Sequence, residues 1–263
     1  MLAKKRISQL FFKRFPLTHS LPRILECFVL QESRLRSPIL DLGCGDGEFA
    51  QICLGKEKID VGLDSNPRAA RLAEKSGAYK KVVVAKAEKV PFKDSFFKTI
   101  ISNSVLEHIE DLDGVFREAY RVLEKGGQFI FLVPDKTASD YFFYAWFLEK
   151  IKLQSLANSY INLKNKIYHH SHLEKKDFWE KIAKKHGFKI RKVVGLISPQ
   201  TVRIIDFFTP FALPDYFLRK VFGRNFFFRP DFLNRLISFY LIQKQKPVRE
   251  SEATAWYFEL EKE

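Results

Sequence analysis

A chain of 263 residues, 46% hydrophobic and 29% charged, is long enough to bury one sizeable core, and this composition excludes an intrinsically disordered chain. No apolar run approaches the length that crosses a bilayer, and Lys13 and Arg14 interrupt the N-terminal apolar stretch, so neither a transmembrane helix nor a signal peptide is expected. Cys27, Cys44 and Cys53 form neither a disulfide framework nor a metal pattern, which fits a reducing cytoplasm, while the formal charge of +14 admits nucleic acid, an anionic membrane surface or an acidic substrate.

In chain order, residues 1 to 15 read as an amphipathic helix, with Ile7, Leu10, Phe11 and Phe15 on one face and Lys4, Lys5 and Lys13 elsewhere. Such a helix either lies on a membrane or packs as a lid over a site on the main domain. Pro16 and Pro22 punctuate the link to a second helix over residues 23 to 32. Pro38 then opens a strand, Ile39 to Leu42, whose nearly continuous apolar run suits burial on both faces of a parallel sheet. The strand stops at Gly43, Gly45 and Gly47, where the backbone can turn with positive φ and approach a ligand closely. A helix over residues 48 to 54 points its N-terminus at that ligand.

The loop reads G-x-G-x-G, whereas a dinucleotide site reads G-x-G-x-x-G. Asp41 and Asp46 beside it are awkward neighbours for a pyrophosphate and suitable partners for a cationic ammonium or sulfonium group. Residues 58 to 64 form a second strand ending in Asp64, about 20 residues beyond the loop, the separation at which a carboxylate reaches ribose hydroxyls. Ser65 or Asn66 can cap the next helix, with Pro67 at its first position and Gly77 at its end. Strands are expected at 81 to 85, 97 to 102 and 128 to 133, with a helix at 112 to 123. This alternation predicts an α/β fold, a doubly wound parallel sheet with right-handed crossovers. Ligands of such sheets sit at the carboxyl ends of the strands, where Asp41 to Gly47, Asp64, Ala87 and Asn103 all fall.

Beyond the fifth strand, Tyr141 to Leu148 is strongly aromatic and Leu153 to Tyr168 is a more polar helical stretch. Ser171-His-Leu-Glu174 has the form of a capping box for a helix ending near His186 and stopped by Gly187. A sixth strand is expected at 188 to 197 and a last one at 253 to 260. Between them, ten of the 27 phenylalanines fall between Phe207 and Phe239, split into short helices by Pro210, Pro214 and Pro230.

The Asp-Leu-Gly-Cys-Gly-Asp-Gly loop at 41 to 47 resembles the cofactor site of class I S-adenosylmethionine-dependent methyltransferases, in particular the type 11 branch. The resemblance continues through Ala87-Glu-Lys-Val-Pro-Phe92, Asp94-Ser-Phe-Phe97, Ser102-Asn-Ser-Val-Leu-Glu-His-Ile109 and Arg117-Glu-Ala-Tyr-Arg-Val-Leu123, and ends with Gly126-Gly127, covering roughly residues 38 to 134. It implies a seven-stranded Rossmann-like sheet, five parallel strands and then an antiparallel last strand, with aromatic-rich helical insertions. It divides the chain into an N-terminal helical lid (1–37), a cofactor-binding core (38–134), a substrate lid (135–170) and a completion of the sheet (171–263) with a helical insertion at about 204–242.

The resemblance further implies S-adenosyl-L-methionine as cofactor. Asp41 and the backbone of Gly43 and Gly45 would hold its methionine portion, Asp64 would accept from its ribose hydroxyls, Ala87 would offer its backbone N–H to adenine and Asn103 would line the methionine side. Cys44, Ser65 and Glu88 are also placed at the cofactor, although a solvated loop charge fits Glu88 as well. Lys86 departs from the pattern: the family usually has an acid there, and lysine cannot accept a hydrogen bond from the adenine amino group. Lys98 and Lys125 are further departures, at the surface and in a turn. His108 is the one candidate base, although a histidine that touches the pocket without moving a proton fits the same position. Asp135, Asp140 and Tyr141 are further candidates by position. His169, His170 and His172 cluster, but zinc usually takes cysteines or paired carboxylates as well, so a helix-entry segment is the expectation and no metal.

The acceptor expected from the aromatic insertions and interspersed arginines is a small hydrophobic or lipid-linked molecule, met at an anionic membrane surface by an otherwise cytoplasmic protein. An RNA or DNA methyltransferase stands behind this reading, supported by charge alone. A non-catalytic cofactor-binding protein is the third reading, raised by Lys86.

Overall fold

A computed structural model of the chain describes residues 2–56, 59–168, 171–210 and 248–263. One seven-stranded sheet runs in the order β3-β2-β1-β4-β5-β7-β6. Its strands are β1 (Ile39–Leu42), β2 (Ile59–Asp64), β3 (Tyr79–Val84), β4 (Phe97–Asn103), β5 (Leu123–Pro134), β6 (Phe188–Leu196) and β7 (Ala255–Lys262). The first five are parallel, and β7 inserts antiparallel between β5 and β6. The helices are α1 (Leu2–Arg14), α2 (Leu17–Gln31), α3 (Glu48–Cys53), α4 (Pro67–Ser76), α5 (Leu112–Val122), α6 (Phe143–Lys150), α7 (Gln154–Tyr168), α8 (Lys176–Lys185) and α9 (Pro199–Phe207).

The sheet is apolar on both faces and each face has its own core. One unites Val115 and Phe116 of α5 with Phe129 and Phe131 of β5 and Trp179 of α8. The other unites Phe11, Phe12, Leu21 and Ile24 of α1 and α2 with Ile130 and Tyr257 of the sheet. Phe116 meets Phe129 and Phe131 edge-on, at 5.6 and 5.8 Å between ring centroids, the geometry that aromatic quadrupoles favour. The amphipathic reading of residues 1 to 15 is thus resolved for Phe11 and Phe12, which are buried against α2 and α3.

Three expectations are corrected. The second helix starts at Leu17 and runs through Pro22, held at its start by Ser20, whose hydroxyl lies 3.0 to 3.1 Å from the carbonyls of Phe11, Phe15 and Pro16. The fifth strand begins at Leu123, directly after α5, and the register with β4 shifts between Phe97 and Thr99, with Gly126 and Gly127 in the β5 stretch that absorbs it. Ser171 does not cap a helix. Its N–H donates to the carbonyl of Glu107 at 2.7 Å, and α8 starts at Lys176 without a side-chain cap. The phenylalanine-rich insertion falls largely within residues 211–247, outside the described residues, with α9 covering its start.

Candidate functional site

The loop after β1 is built from below. The N–H groups of Gly43 and Cys44 both donate to the carbonyl of Leu63, at 2.8 and 2.9 Å, which ties the turn to the end of β2. The Asp64 carboxylate accepts from the N–H of Gly45 at 2.9 Å through one oxygen and from that of Asn66 at 2.8 Å through the other. Asn66 caps α4, accepting from the N–H of Arg68 at 2.9 Å, so the cap belongs to Asn66 and leaves Asp64 aimed at the glycine loop. Gly43 has φ +85°, and a Cβ there would stand 2.4 Å from both Cγ atoms of Val105.

Between the loop and the ends of β2 to β4 lies a cleft of about 360 Å³. Gly43, Asp64, Ser65, Ala87 and Glu88, expected at the cofactor, all line it, together with Lys86 and His108. Asp41 and Cys44 stand behind it. Asp41 is buried and accepts from the hydroxyl of Tyr79 at 2.7 Å. Burial above all, opposed by the Tyr79 hydrogen bond and helped by the Asp64 charge, raises its carboxyl to about 7. Burial, with Asp41 and Asp64 nearby, likewise pushes the Cys44 thiol upward, which keeps it protonated and inert. Gly45 reaches the cleft through its hydrogen bond to Asp64. Asn103, at the end of β4, lines neither this cleft nor the cavity that adjoins it; it donates to Glu26 at 3.1 Å, while its own buried Oδ1 has no partner among the described residues.

These features fit a sulfonium nucleoside. The backbone at Gly43 leaves no room for a Cβ, and Asp64 lines the cleft with one backbone N–H on each oxygen, which leaves each oxygen a further acceptor site. Lys86 lies in the cleft wall where an acceptor for adenine would be useful, and Glu88 and Glu110 are the carboxylates there that could serve instead.

A second cavity, of about 430 Å³, adjoins the first, and His108 lines both. The helices α2, α7 and α9 and the end of β5 enclose it, with an apolar portion formed by Phe142, Ile167, Leu173, Val202 and Ile205. Among the described residues four carboxyls line its wall, and three are fully engaged. Glu26 accepts from Arg23 at 2.9 Å and from Asn103 and Ser104. Asp135 accepts from the indole of Trp256 at 2.6 Å and from Thr137. Asp206 accepts from Lys164 at 2.8 Å and Tyr160 at 2.6 Å. The fourth, Glu107, is 2% exposed and has one oxygen, Oε2, without a partner among the described residues. Burial foremost raises its carboxyl to about 8, against the opposing pull of its own backbone N–H and of Arg23.

Sequence reasoning alone singles out neither Glu26 nor Glu107. Glu26 does carry a signal, as a lone carboxylate in the run Ile24 to Leu30. Glu107 carries none: what distinguishes it is its burial on the 3₁₀ turn Leu106–His108 at the second cavity. Of the histidine cluster, His172 sits with Nε2 3.2 Å from the carbonyl of Glu110, while His169 and His170 lie outside the described residues. Among the described residues no group of side chains could hold a metal ion. Asp140 and Tyr141 close a 3₁₀ turn after β5, and neither lines either cavity.

Residues 40–131 match the family model described as a methyltransferase domain. Over 97 residues the chain is 39% identical to an uncharacterised protein of Methanocaldococcus jannaschii, covering 37% of this chain and 44% of that one. Over 98 residues it is 36% identical to the sterol 24-C-methyltransferase of Aspergillus fumigatus, covering 35% of this chain and 26% of that one. The chain therefore spans less than half the length of these curated relatives. Among solved structures, an S-adenosylmethionine-dependent methyltransferase of Thermotoga maritima superposes with a TM-score of 0.60 at 19% identity, over 94% of this chain and 92% of that one, a likeness of fold.

Proposed function

We propose that this chain, whose residues 40–131 match the methyltransferase-domain family model, is a class I S-adenosylmethionine-dependent methyltransferase that binds its cofactor in the cleft beside Gly43 and Asp64 and methylates a small, largely apolar acceptor held in the adjoining cavity. The observation that carries the reading is the shared wall: the nucleoside-sized cleft and the apolar cavity meet at His108, where donor and acceptor would face each other.

Asp64 would accept from the ribose hydroxyls, held in place by the two backbone N–H groups it already receives. Gly43 and Gly45 would bring their backbone against the methionine portion, and Asn103 would receive the ammonium. Ser65, Ala87 and Glu88 would flank ribose and adenine. Asp41 would act one layer back, by fixing the loop through Tyr79. When bound, the cofactor supplies a methyl group that its sulfonium already makes electrophilic, so the chain contributes chiefly alignment and exclusion of water. Arg23, Glu26 and His19 of α2 wall the cavity, which is how the N-terminal helices would act as a lid.

The apolar portion of the cavity supports a hydrophobic or lipid-linked acceptor, and Ile167 connects it to the surface, being both part of the wall and 52% exposed. A polyanionic acceptor is less well supported, because among the described residues four carboxyls stand in this wall against two permanent cations, Arg23 and Lys164.

Titration calorimetry with S-adenosylmethionine tests the cofactor assignment. Binding to the unaltered chain, with affinity reduced by roughly tenfold or more in Asp64→Ala, is expected, since a carboxylate hydrogen bond to a ligand is of that worth. Absence of binding to the unaltered chain would overturn the assignment. Transfer of labelled methyl groups to a lipid extract then separates a catalyst from a cofactor-binding protein.

A further inference from the structure

We propose that Glu107 receives the acceptor and that the acceptor is an amine carried on an apolar body. The inference deepens the reading above and rests on it for the transfer step. It starts from the engagement of the cavity's carboxyls. Glu26, Asp135 and Asp206 are saturated by Arg23, Trp256 and Lys164 together with hydroxyl, amide and backbone donors. Of the four, only Glu107 keeps an unpartnered oxygen among the described residues, although it is almost wholly buried and lines the cavity. A buried acceptor without a donor is costly, and a ligand that supplies one removes the cost.

Charge narrows the donor. Arg23 is shared with Glu26 and Lys164 is committed to Asp206, so Glu107 and Asp135 have no fixed cation of their own among the described residues of the wall. In a chain of net charge +14 the described wall of this cavity carries four carboxyls and two permanent cations, which favours a cation over an alcohol and disfavours a carboxylate. His108 Nε2 lies 3.9 Å from Glu107 Oε1, so the head group bound by Glu107 sits next to the wall shared with the cofactor cleft.

The chemistry follows from that placement. Glu107, which holds a proton before the ligand arrives, releases it to water as the ammonium enters and pairs with that ammonium as a carboxylate. The ammonium then gives one proton back to Glu107 and becomes a neutral amine. Its nitrogen lone pair then forms the new C–N bond as the methyl's bond to sulfur breaks and that electron pair returns to sulfur. The product leaves as a methylated ammonium, and Glu107 returns its proton to water. A carboxyl with affinity for the proton near working pH suits this role.

Calorimetry of the chain without cofactor tests it with n-octylamine, octan-1-ol and octanoate, each below its aggregation range. Octylamine is expected to bind most tightly, octan-1-ol more weakly and octanoate least, with Glu107→Gln weakening octylamine by about tenfold or more while leaving octan-1-ol nearly unchanged. Ile205→Trp, which fills the apolar portion, is expected to remove all three. Octanoate binding as tightly as octylamine, or Glu107→Gln binding octylamine like the parent, would overturn the proposal. The ranking in the unaltered chain decides it even where the Gln variant does not fold. Because cofactor is absent, failure here is separate from failure of the Asp64 experiment.

Discussion

Gly43 shows how narrowly the cofactor cleft is specified. An alanine there would place a methyl group 2.4 Å from the Cγ atoms of Val105, on a backbone at φ +85°. Strain of this kind typically costs about 1–3 kcal/mol, so Gly43→Ala is expected to lower the urea midpoint and to weaken S-adenosylmethionine binding together. Adding Val105→Ala removes the clash and leaves the dihedral, so recovery should be partial, and complete recovery would show that φ is irrelevant. This position is legible in the sequence because glycines at alternate positions directly after an apolar run mark a backbone that must turn sharply and stay bare. Asp64 is legible for a similar reason, its distance from the loop. Glu107 is not, because the property that singles it out is an unpartnered oxygen, and partners at long range are invisible in a sequence.

At the scale of elements, local signals survive where the chain satisfies itself locally. Asn66-Pro67 starts α4 as expected, since cap and first turn lie within four residues. The Ser171 capping box fails because a tertiary partner intervenes: the N–H groups of Ser171 and His172 both go to the carbonyl of Glu107. Pro22 marks a boundary by local rules, but burial of Leu21, Ile24 and Phe28 carries α2 through it. Helix α7 raises a functional question of its own. Leu156, Leu163 and Ile167 recur at a helical period on one face and are 54%, 56% and 52% exposed, with Lys166 nearby and the cavity opening at Ile167. This stripe supports contact with an anionic membrane from which an apolar acceptor could enter. Leu156→Glu with Leu163→Glu is expected to abolish co-sedimentation with phosphatidylserine-containing liposomes at low salt while leaving S-adenosylmethionine binding intact. Unchanged sedimentation would remove α7 from any membrane role.

Across the whole molecule, the sheet packs helices on both faces and leaves its polar groups at the carboxyl ends of the strands, which concentrates buried carboxyls there. Asp41 and Glu107 are both raised by burial, to about 7 and about 8. The folded chain therefore holds protons on them that the unfolded chain has already released, and the stability this contributes is lost as pH rises toward those values. Carboxylates held low act in the opposite sense but at lower pH: Asp60, where partial burial is outweighed by Lys80, Ser37 and the N–H of Ile39 together, and Glu118 beside Arg121. Between about pH 5 and about pH 8 the descending contribution should dominate the difference between the parent and an Asp41→Asn, Glu107→Gln double variant, on the order of a few kcal/mol. Urea midpoints across that range are expected to fall more steeply in the parent than in the double variant. Parallel profiles would mean that these two groups are not proton-binding in the folded chain, and that the acidic cavity is ionised before any ligand arrives. S-adenosylmethionine and an amine bound together would bring positive charge to this end of the sheet, so saturating both is expected to flatten the parent's profile toward that of the variant.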